Sequence, residues 1–225
     1  NRNFFSGNPD LNPEFSHVFE LGHIKYFEKG SISSTIYYRH TDEKILQIRT
    51  VNDEGFSTSR PENLASEHAY GAEFTGAYAL YKWWKLDLNF NFFRAITDGK
   101  NLDDSFESDA YSWFIRQTSR FTIAKSLDFQ LRGNYEAPQL MPQGERKALY
   151  FIDIALKKDI LKENGTLTLN VSDLFNTRKT RTITEGENFY SRANGQWRRR
   201  QINLTLSYRL NQGNQAPKPS NGEGF

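Results

Sequence analysis

Every second residue from Ile202 to Leu210 is apolar (Ile202, Leu204, Leu206, Tyr208, Leu210), and the intervening Gln201, Asn203, Thr205, Ser207 and Arg209 are polar. A period of two held without a slip predicts a strand with one apolar and one polar face. About nine residues at ~3.3 Å each, tilted by about 40°, climb on the order of 23 Å, close to the ~25 Å apolar band a membrane-crossing strand must span. An ordinary soluble strand is about five or six residues long. The same run would also suit the edge strand of a soluble sandwich, so the rest of the chain has to decide.

The alternation recurs along the chain. An extended run from Phe15 to Phe27 turns at Glu28-Lys29-Gly30 into a second run from Ser31 to about Arg49, predicting a long hairpin. A polar connection from about Thr50 to Ser66 follows. Tyr70, Ala72, Phe74, Gly76, Tyr78 and Leu80 then share one parity before a tight turn at Tyr81-Lys82-Trp83, and Trp84, Leu86, Leu88, Phe90 and Phe92 continue after it. The connection from about Ala95 to Ala110 is long and rich in Asp. Beyond it, runs around Trp113 to Ile123 and Leu127 to Tyr135 flank a two-residue turn at Lys125-Ser126. Pro138 to Lys147 is a third polar connection. A strand from Tyr150 to near Leu161, a short turn at Lys162 to Gly165, and Leu167, Leu169 and Val171 come next. The parity slips at Asp173-Leu174-Phe175, where a bulge is expected. A polar stretch from about Asn176 to Gly195 leads into the last strand.

The pattern predicts about nine long strands whose connections alternate between tight and long. A Greek-key sandwich has no reason to collect its tight turns at one end, whereas outer-membrane barrels have short periplasmic turns and long outer loops. The expected fold is therefore all-β: part of an antiparallel transmembrane barrel, with the C-terminus periplasmic. Residues 1–14 are expected as a loop leading into the barrel, 15–210 as barrel strands and 211–225 as a disordered tail.

Composition changes this picture little. Of 225 residues 37% are hydrophobic, and mean hydropathy is −0.73, thin for two compact cores. No uncharged apolar run approaches the ~18 residues of a membrane helix, but a barrel shows lipid only every second residue and hides from helix-style scans. Eighteen Phe, eleven Tyr and four Trp would furnish aromatic girdles. The absence of Cys excludes disulfides and thiolate metal sites. A net charge of +2 with scattered basic residues gives no general pull toward nucleic acid. The chain opens Asn-Arg-Asn-Phe-Phe without an apolar leader, so it is expected either not to be exported or to be a piece of a longer protein.

Gly7-Asn8-Pro9-Asp10-Leu11-Asn12-Pro13-Glu14 with Phe19-Glu20-Leu21-Gly22, then Tyr70-Gly71-Ala72-Glu73-Phe74, then Asp173-Leu174-Phe175-Asn176, resemble the C-terminal barrel of TonB-dependent outer-membrane receptors. These motifs run from the first expected strand to the eighth. The resemblance implies a bacterial outer-membrane protein that takes up a scarce nutrient. Its implied partners are outer-membrane lipid, the remainder of the barrel, a plug domain, and TonB through an N-terminal part this chain lacks. Which nutrient is carried does not follow. The alternative from another class is a secreted β-sandwich binding glycans through exposed aromatics.

No catalytic constellation, metal set or cofactor motif emerges; His17, His23, His40 and His68 are dispersed, and Asp103-Asp104 fits a solvated turn. Parity directs Glu73, Arg116, Arg120, Arg132, Asn134 and Arg209 to the lumen, since Arg or Lys facing lipid at the midplane costs about 2–4 kcal/mol. They are candidates for contact with the plug or, less simply, with ligand. Tyr81, Trp83 and Trp84 are expected in a periplasmic aromatic girdle. Arg198 and Arg200, on the Ile202 side, are candidates for lipid phosphate, for which guanidinium forks are suited; pairing with Glu185 or Glu187 is the plainer alternative.

Overall fold

β-branched and aromatic side chains alternating with polar ones favour extended backbone, because each can then pack on one face of a pleated sheet. The computed structural model describes residues 2–161 and 164–209, and strands dominate it. They are β1 (Asn3–Phe5), β2 (Phe15–Phe27), β3 (Gly30–Val51), β4 (Ser57–Tyr81), β5 (Trp84–Asp98), β6 (Glu107–Ala124), β7 (Leu127–Glu136), β8 (Gln139–Met141), β9 (Gly144–Arg146), β10 (Leu149–Ile160), β11 (Gly165–Ser172), β12 (Thr180–Gly186), β13 (Phe189–Gly195) and β14 (Gln201–Tyr208). The main sheet is ordered β14-β11-β10-β7-β6-β5-β4-β3-β2, an antiparallel meander that contains the nine expected strands. Its two edges, β2 and β14, are not joined to each other among the described residues, so the sheet is open. A four-stranded sheet, β13-β12-β9-β8, lies beyond one end. Leu210 and the expected tail 211–225 fall outside the described residues.

The register joins the apolar positions into continuous rows. One runs Leu204, Leu169, Leu156, Phe129, Phe121, Trp84 across β14, β11, β10, β7, β6 and β5. Along it Phe121 lies 5.9 Å from Phe129 and 5.5 Å from Trp84, ring centre to ring centre, within the range of favourable aromatic pairs. The partition of polarity is inverted relative to a water-soluble core. Leu204 is 68% exposed while Asn91, Ser119, Asn134 and Asp173 are buried. The sandwich alternative requires a second sheet over the Ile202, Leu204 and Leu206 face, and the described residues put none there. A small apolar cluster of Ile48, Leu64 and Phe106, with Leu46 against it, sits where β3 and β4 extend past their neighbours.

The connections differ from the sequence expectation in an informative way. Thr50 to Ser66 is mostly strand: β3 and β4 pair as far as Val51 with Ser57. Only the turn at 52–56 remains, closed by Phe56 N donating to Asn52 Oδ1 (2.9 Å) and by Gly55 at φ 79°. Outside an apolar phase a hairpin face need not be hydrophobic throughout, so the stretch 50–66 holds too few apolar residues for an alternation to be read. The connections 137–148 and 173–200 likewise contain the hairpins β8–β9 and β12–β13. At Asp173 there is a strand-ending turn, not a bulge; Asp173 and Asn176 both have positive φ, a conformation short Asx side chains tolerate by bonding locally.

The segment before β2 is more than a lead-in. β1 adds in parallel to β4, and the Gly7–Glu14 motif straps the β3–β4 extension. Asn8 Nδ2 donates to Pro61 O (3.0 Å), Asn12 N to Asn63 Oδ1 (2.9 Å) and Ile45 N to Glu14 Oε2 (3.1 Å). Within β4, Gly71 faces Tyr37 in register. A Cβ there would come within 2.5 Å of Phe92 O and 2.8 Å of both Phe93 Cβ and Tyr37 Oη. Gly76, by contrast, would meet nothing closer than 3.8 Å. We therefore expect Gly71→Val to destabilise the folded protein by about 1–3 kcal/mol and Gly76→Val to be near neutral, measured as the shift in urea unfolding midpoint in detergent micelles.

Candidate functional site

All six residues expected on the lumen side share the parity opposite to the apolar rows. The five that stand in strands lie on one face but do not form one constellation. Arg116 and Asn134 are brought together: Arg116 Nε donates to Asn134 Oδ1 (3.2 Å), and its guanidinium pairs with Glu136 at 3.7 Å. Glu73 Oε1 accepts from Asn89 Nδ2 at 2.6 Å. Arg120 is tied to Asp87. Arg132 stands in register between Thr118 and Asp153. Arg209 lies past the end of β14, its amide donating to Asn164 O at 2.8 Å. Tyr37 Oη donates to Asn91 Oδ1 (3.2 Å) on the same face.

No pattern along the chain foretells how the second sheet is held. Beyond the end of β2, β3 has an unpaired backbone edge. The buried Gln143 amide fills it as a strand would: Arg49 N donates to Gln143 Oε1 (2.8 Å), and Gln143 Nε2 donates to Arg49 O (2.9 Å). Asn188 Nδ2 donates to Val51 O (2.8 Å) and Arg49 Nη1 to Ser191 Oγ (3.1 Å). Hairpins that follow β7 and β11 are thus moored to β3, near the other end of the meander. Gly144, at φ 100° and with Ile183 O only 2.3 Å from where a Cβ would be, allows the β8–β9 turn that presents Gln143.

A second anchor surrounds Asp173. Its backbone N donates to Asp153 Oδ1 (2.8 Å), and its carboxylate accepts from Thr177 N (2.7 Å) and Arg178 N (3.1 Å). Arg178 returns to Asp153 at 2.8 Å and covers the Phe151 ring at 3.5 Å. Asn176 Oδ1 accepts from Gln196 Nε2 (2.8 Å) and Arg200 N (3.2 Å), fixing the approach to β14. Of these residues the sequence singles out the Asp173–Asn176 motif and, for a different role, Arg200. In the turn 99–106, bonds from the Ser105 hydroxyl and amide hold the Asp103 carboxyl below the usual range, and Glu107 raises Lys100.

On the apolar face Tyr81, Trp83 and Trp84 stack at 5.5 to 6.2 Å, and Trp84 Nε1 donates to Ser119 Oγ at 3.0 Å. About ten residues farther along β5 the apolar parity is broken by Arg94, which meets Asp109 and donates to Tyr70 Oη at 2.6 Å. Arg198, Arg199 and Arg200 precede β14 in irregular backbone, so strand alternation does not set their directions. Arg200 donates to Leu174 O at 3.3 Å. Among the described residues none of the three pairs with Glu185 or Glu187.

A family model described as the outer membrane protein beta-barrel family matches residues 1–208. The chain belongs to that family. Its members are proteins of the bacterial outer membrane, and the open meander is accordingly part of a barrel wall. Among solved structures the chain is similar to the copper transporter OprC (TM-score 0.60, 14% identity, 89% of this chain and 32% of that one). It is also similar to the siderophore receptor PirA from Acinetobacter baumannii (0.56, 16%, 91% and 33%). A third is the FrpB iron transporter from Neisseria meningitidis, F3-3 variant (0.55, 12%, 91% and 32%). At these identities the likeness is one of fold, to a barrel portion of such receptors. The chain spans about a third of their length. No curated protein matches.

Because family membership leaves the moored hairpins unexplained, Gln143 is the residue to perturb. Gln143→Ala removes both side-chain bonds and leaves the Arg49 amide and carbonyl to water. At about 1–2 kcal/mol for the pair, amide exchange at Arg49 is expected to accelerate roughly tenfold, read by hydrogen exchange, with the β5–β6 ladder unchanged.

Proposed function

We propose that this chain is the C-terminal part of the barrel of a TonB-dependent receptor that takes up a scarce nutrient across the outer membrane. The observation that carries the proposal is the asymmetry of the connections. Two-residue turns close β2–β3, β4–β5 and β6–β7 at one end, while extended hairpins and a second sheet stand at the other. That asymmetry suits a periplasmic rim and a receptor mouth, and on this reading β14 runs toward the periplasm and the C-terminus, outside the described residues, is periplasmic. Similarity in fold to iron, copper and siderophore receptors supports the transport class. Their cargoes differ, and none is assigned to this chain.

On this reading the face bearing Glu73, Arg116, Arg120, Arg132, Asn134 and Arg209 lines the lumen and packs on a plug domain encoded outside this sequence, as is the TonB box. Tyr81, Trp83 and Trp84 form the periplasmic girdle. The free edges of β2 and β14 are completed by the remaining strands of the barrel, because an unpaired N–H or C=O in lipid costs several kcal/mol. Expressed alone, the chain is expected to self-associate; a monodisperse, closed monomer would contradict it.

Two measurements test the placement in lipid. In the full-length protein reconstituted in liposomes, single cysteines replacing Leu204 or Phe90 are expected to carry a fluorophore quenched by lipid-phase quenchers, and cysteines replacing Asn203 or Asn89 are not. Equal quenching on the two parities would refute the assignment. Arg198 and Arg200 remain proposed contacts for outer-leaflet phosphate. Arg198→Gln is expected to weaken retention of anionic lipid without altering assembly, and the same change at Arg200 should also loosen the turn at Leu174.

A further inference from the structure

The second sheet contains a cleft of about 500 Å³, lined among others by Pro138, Lys147, Ala148, Arg181, Arg192 and Asn194. Its chemistry follows from register. β12 and β13 pair Arg181 with Asn194 and Ile183 with Arg192, so these four side chains leave the same face of the hairpin. The bond from Lys147 N to Arg181 O (2.9 Å) carries the β9–β12 ladder one step farther and sets Lys147 beside Arg181. Arg181 and Arg192 are diagonal neighbours, about 7–8 Å apart at their Cα atoms in a regular antiparallel pair. Two cationic side chains leaving one face as diagonal neighbours repel each other unless an anion lies between them.

Six arginines elsewhere in the chain, Arg39, Arg60, Arg94, Arg116, Arg120 and Arg178, are neutralised by an acid. Among the described residues Arg181 and Arg192 are not. Arg181 Nη2 donates to Ala148 O (3.0 Å), and Arg192 Nη2 donates to Tyr190 Oη (3.1 Å). Lys147 is paired with Glu145, which leaves the two guanidinium groups as the uncompensated charge of the cleft. Arg181 Nε is buried and has no acceptor, and such a donor is costly to leave unmade. The other Arg with a buried, unpartnered Nε, Arg178, already has its charge met by Asp153.

We propose that this cleft is a binding site for a small anionic ligand, whose carboxylate or phosphate oxygens are held between Arg181 and Arg192 with the Asn194 amide as a further donor. A planar fork on each side suits an oxyanion better than a point charge does. The site stands in the sheet moored through Gln143 at the end assigned to the receptor mouth, so its assignment to cargo rests on the uptake reading. There it would draw an anion in and retain it before passage, with a rate that falls as salt rises.

The test uses the full-length protein purified in detergent, each variant first checked for heat-modifiable electrophoretic mobility as evidence of a folded barrel. Citrate, inorganic phosphate and neutral maltose are titrated calorimetrically at low salt. Citrate or phosphate, and not maltose, is expected to bind. Arg181→Gln with Arg192→Gln should weaken that binding at least tenfold. Arg192→Lys, which keeps the charge and loses the fork, should fall between. Arg60→Gln, on β4 where Glu62 already meets the charge, should leave it unchanged. Failure of a folded wild-type barrel to prefer the anions, or equal affinity in the folded double variant, would overturn the anion site and leave the uptake reading intact. Binding abolished by the double variant in a protein absent from the outer membrane would instead overturn the uptake reading and uphold the site.

Discussion

The structure depends on one requirement: every backbone N–H and C=O that enters an apolar phase must be paired within the protein. A meander of antiparallel strands meets it one neighbour at a time. Each ladder fixes register, and register fixes which side chains share a face. A slip of one residue between β5 and β6 would put Arg116 and Arg120 into the row now held by Phe90 and Trp84, at about 2–4 kcal/mol for each charge near the midplane. The apolar rows across β14 to β5 are thus consequences of pairing as much as of hydrophobicity. On the proposed reading, the open edges at β2 and β14 are where further strands of the barrel meet the same requirement.

Beyond the apolar band the same requirement is met by other means. β3 outruns β2, and its edge is capped by a side-chain amide, Gln143, which offers a donor and an acceptor as a peptide group would. β4 outruns β5, and β1 with the Gly7–Glu14 strap covers it. At the end of β11 the ladder stops at Asp173, whose carboxylate takes over the amides of Thr177 and Arg178. Here water can satisfy what the protein does not, so short polar motifs suffice where long strands are needed inside the membrane.

This division explains what could be read from the sequence. Strands whose faces meet different surroundings advertise themselves by parity, and all nine strands of the meander were legible from residues such as Ile202, Leu204 and Leu206. From Thr50 to Ser66 and from Asn176 to Gly195 no sustained run of alternate residues is apolar, so the far part of the β3–β4 ladder and the hairpin β12–β13 could only be taken as connections. For Arg198 to Arg200 alternation carries no direction, because the three residues precede the point where β14 begins. Face membership of Glu73, Arg116 and Asn134 followed from alternation. The mooring by Gln143, and the diagonal placement of Arg181 and Arg192 across a hairpin, depend on contacts between residues far apart in sequence or on a register no local pattern encodes.

Arg94 shows how the boundary of the apolar band is set. It occupies the parity of Trp84, Leu86, Leu88, Phe90 and Phe92, where a cation is least welcome, yet its charge is matched by Asp109 and its remaining hydrogens reach Tyr70. From Trp84 to Arg94 is about ten residues, roughly 33 Å of strand and about 25 Å of height at a tilt near 40°. That height equals the apolar thickness expected of an outer-membrane barrel. On the proposed placement, Trp84 and its stacked neighbours mark the inner interface. The Arg94–Asp109 pair, between the rings of Tyr70 and Tyr111, marks the outer one. Moving the wall by one residue pair toward the periplasm would drag this ion pair into hydrocarbon, and moving it the other way would lift the stacked indoles out of their interface. The aromatic belt and a single matched charge pair together fix the height of the wall, which neither would do alone.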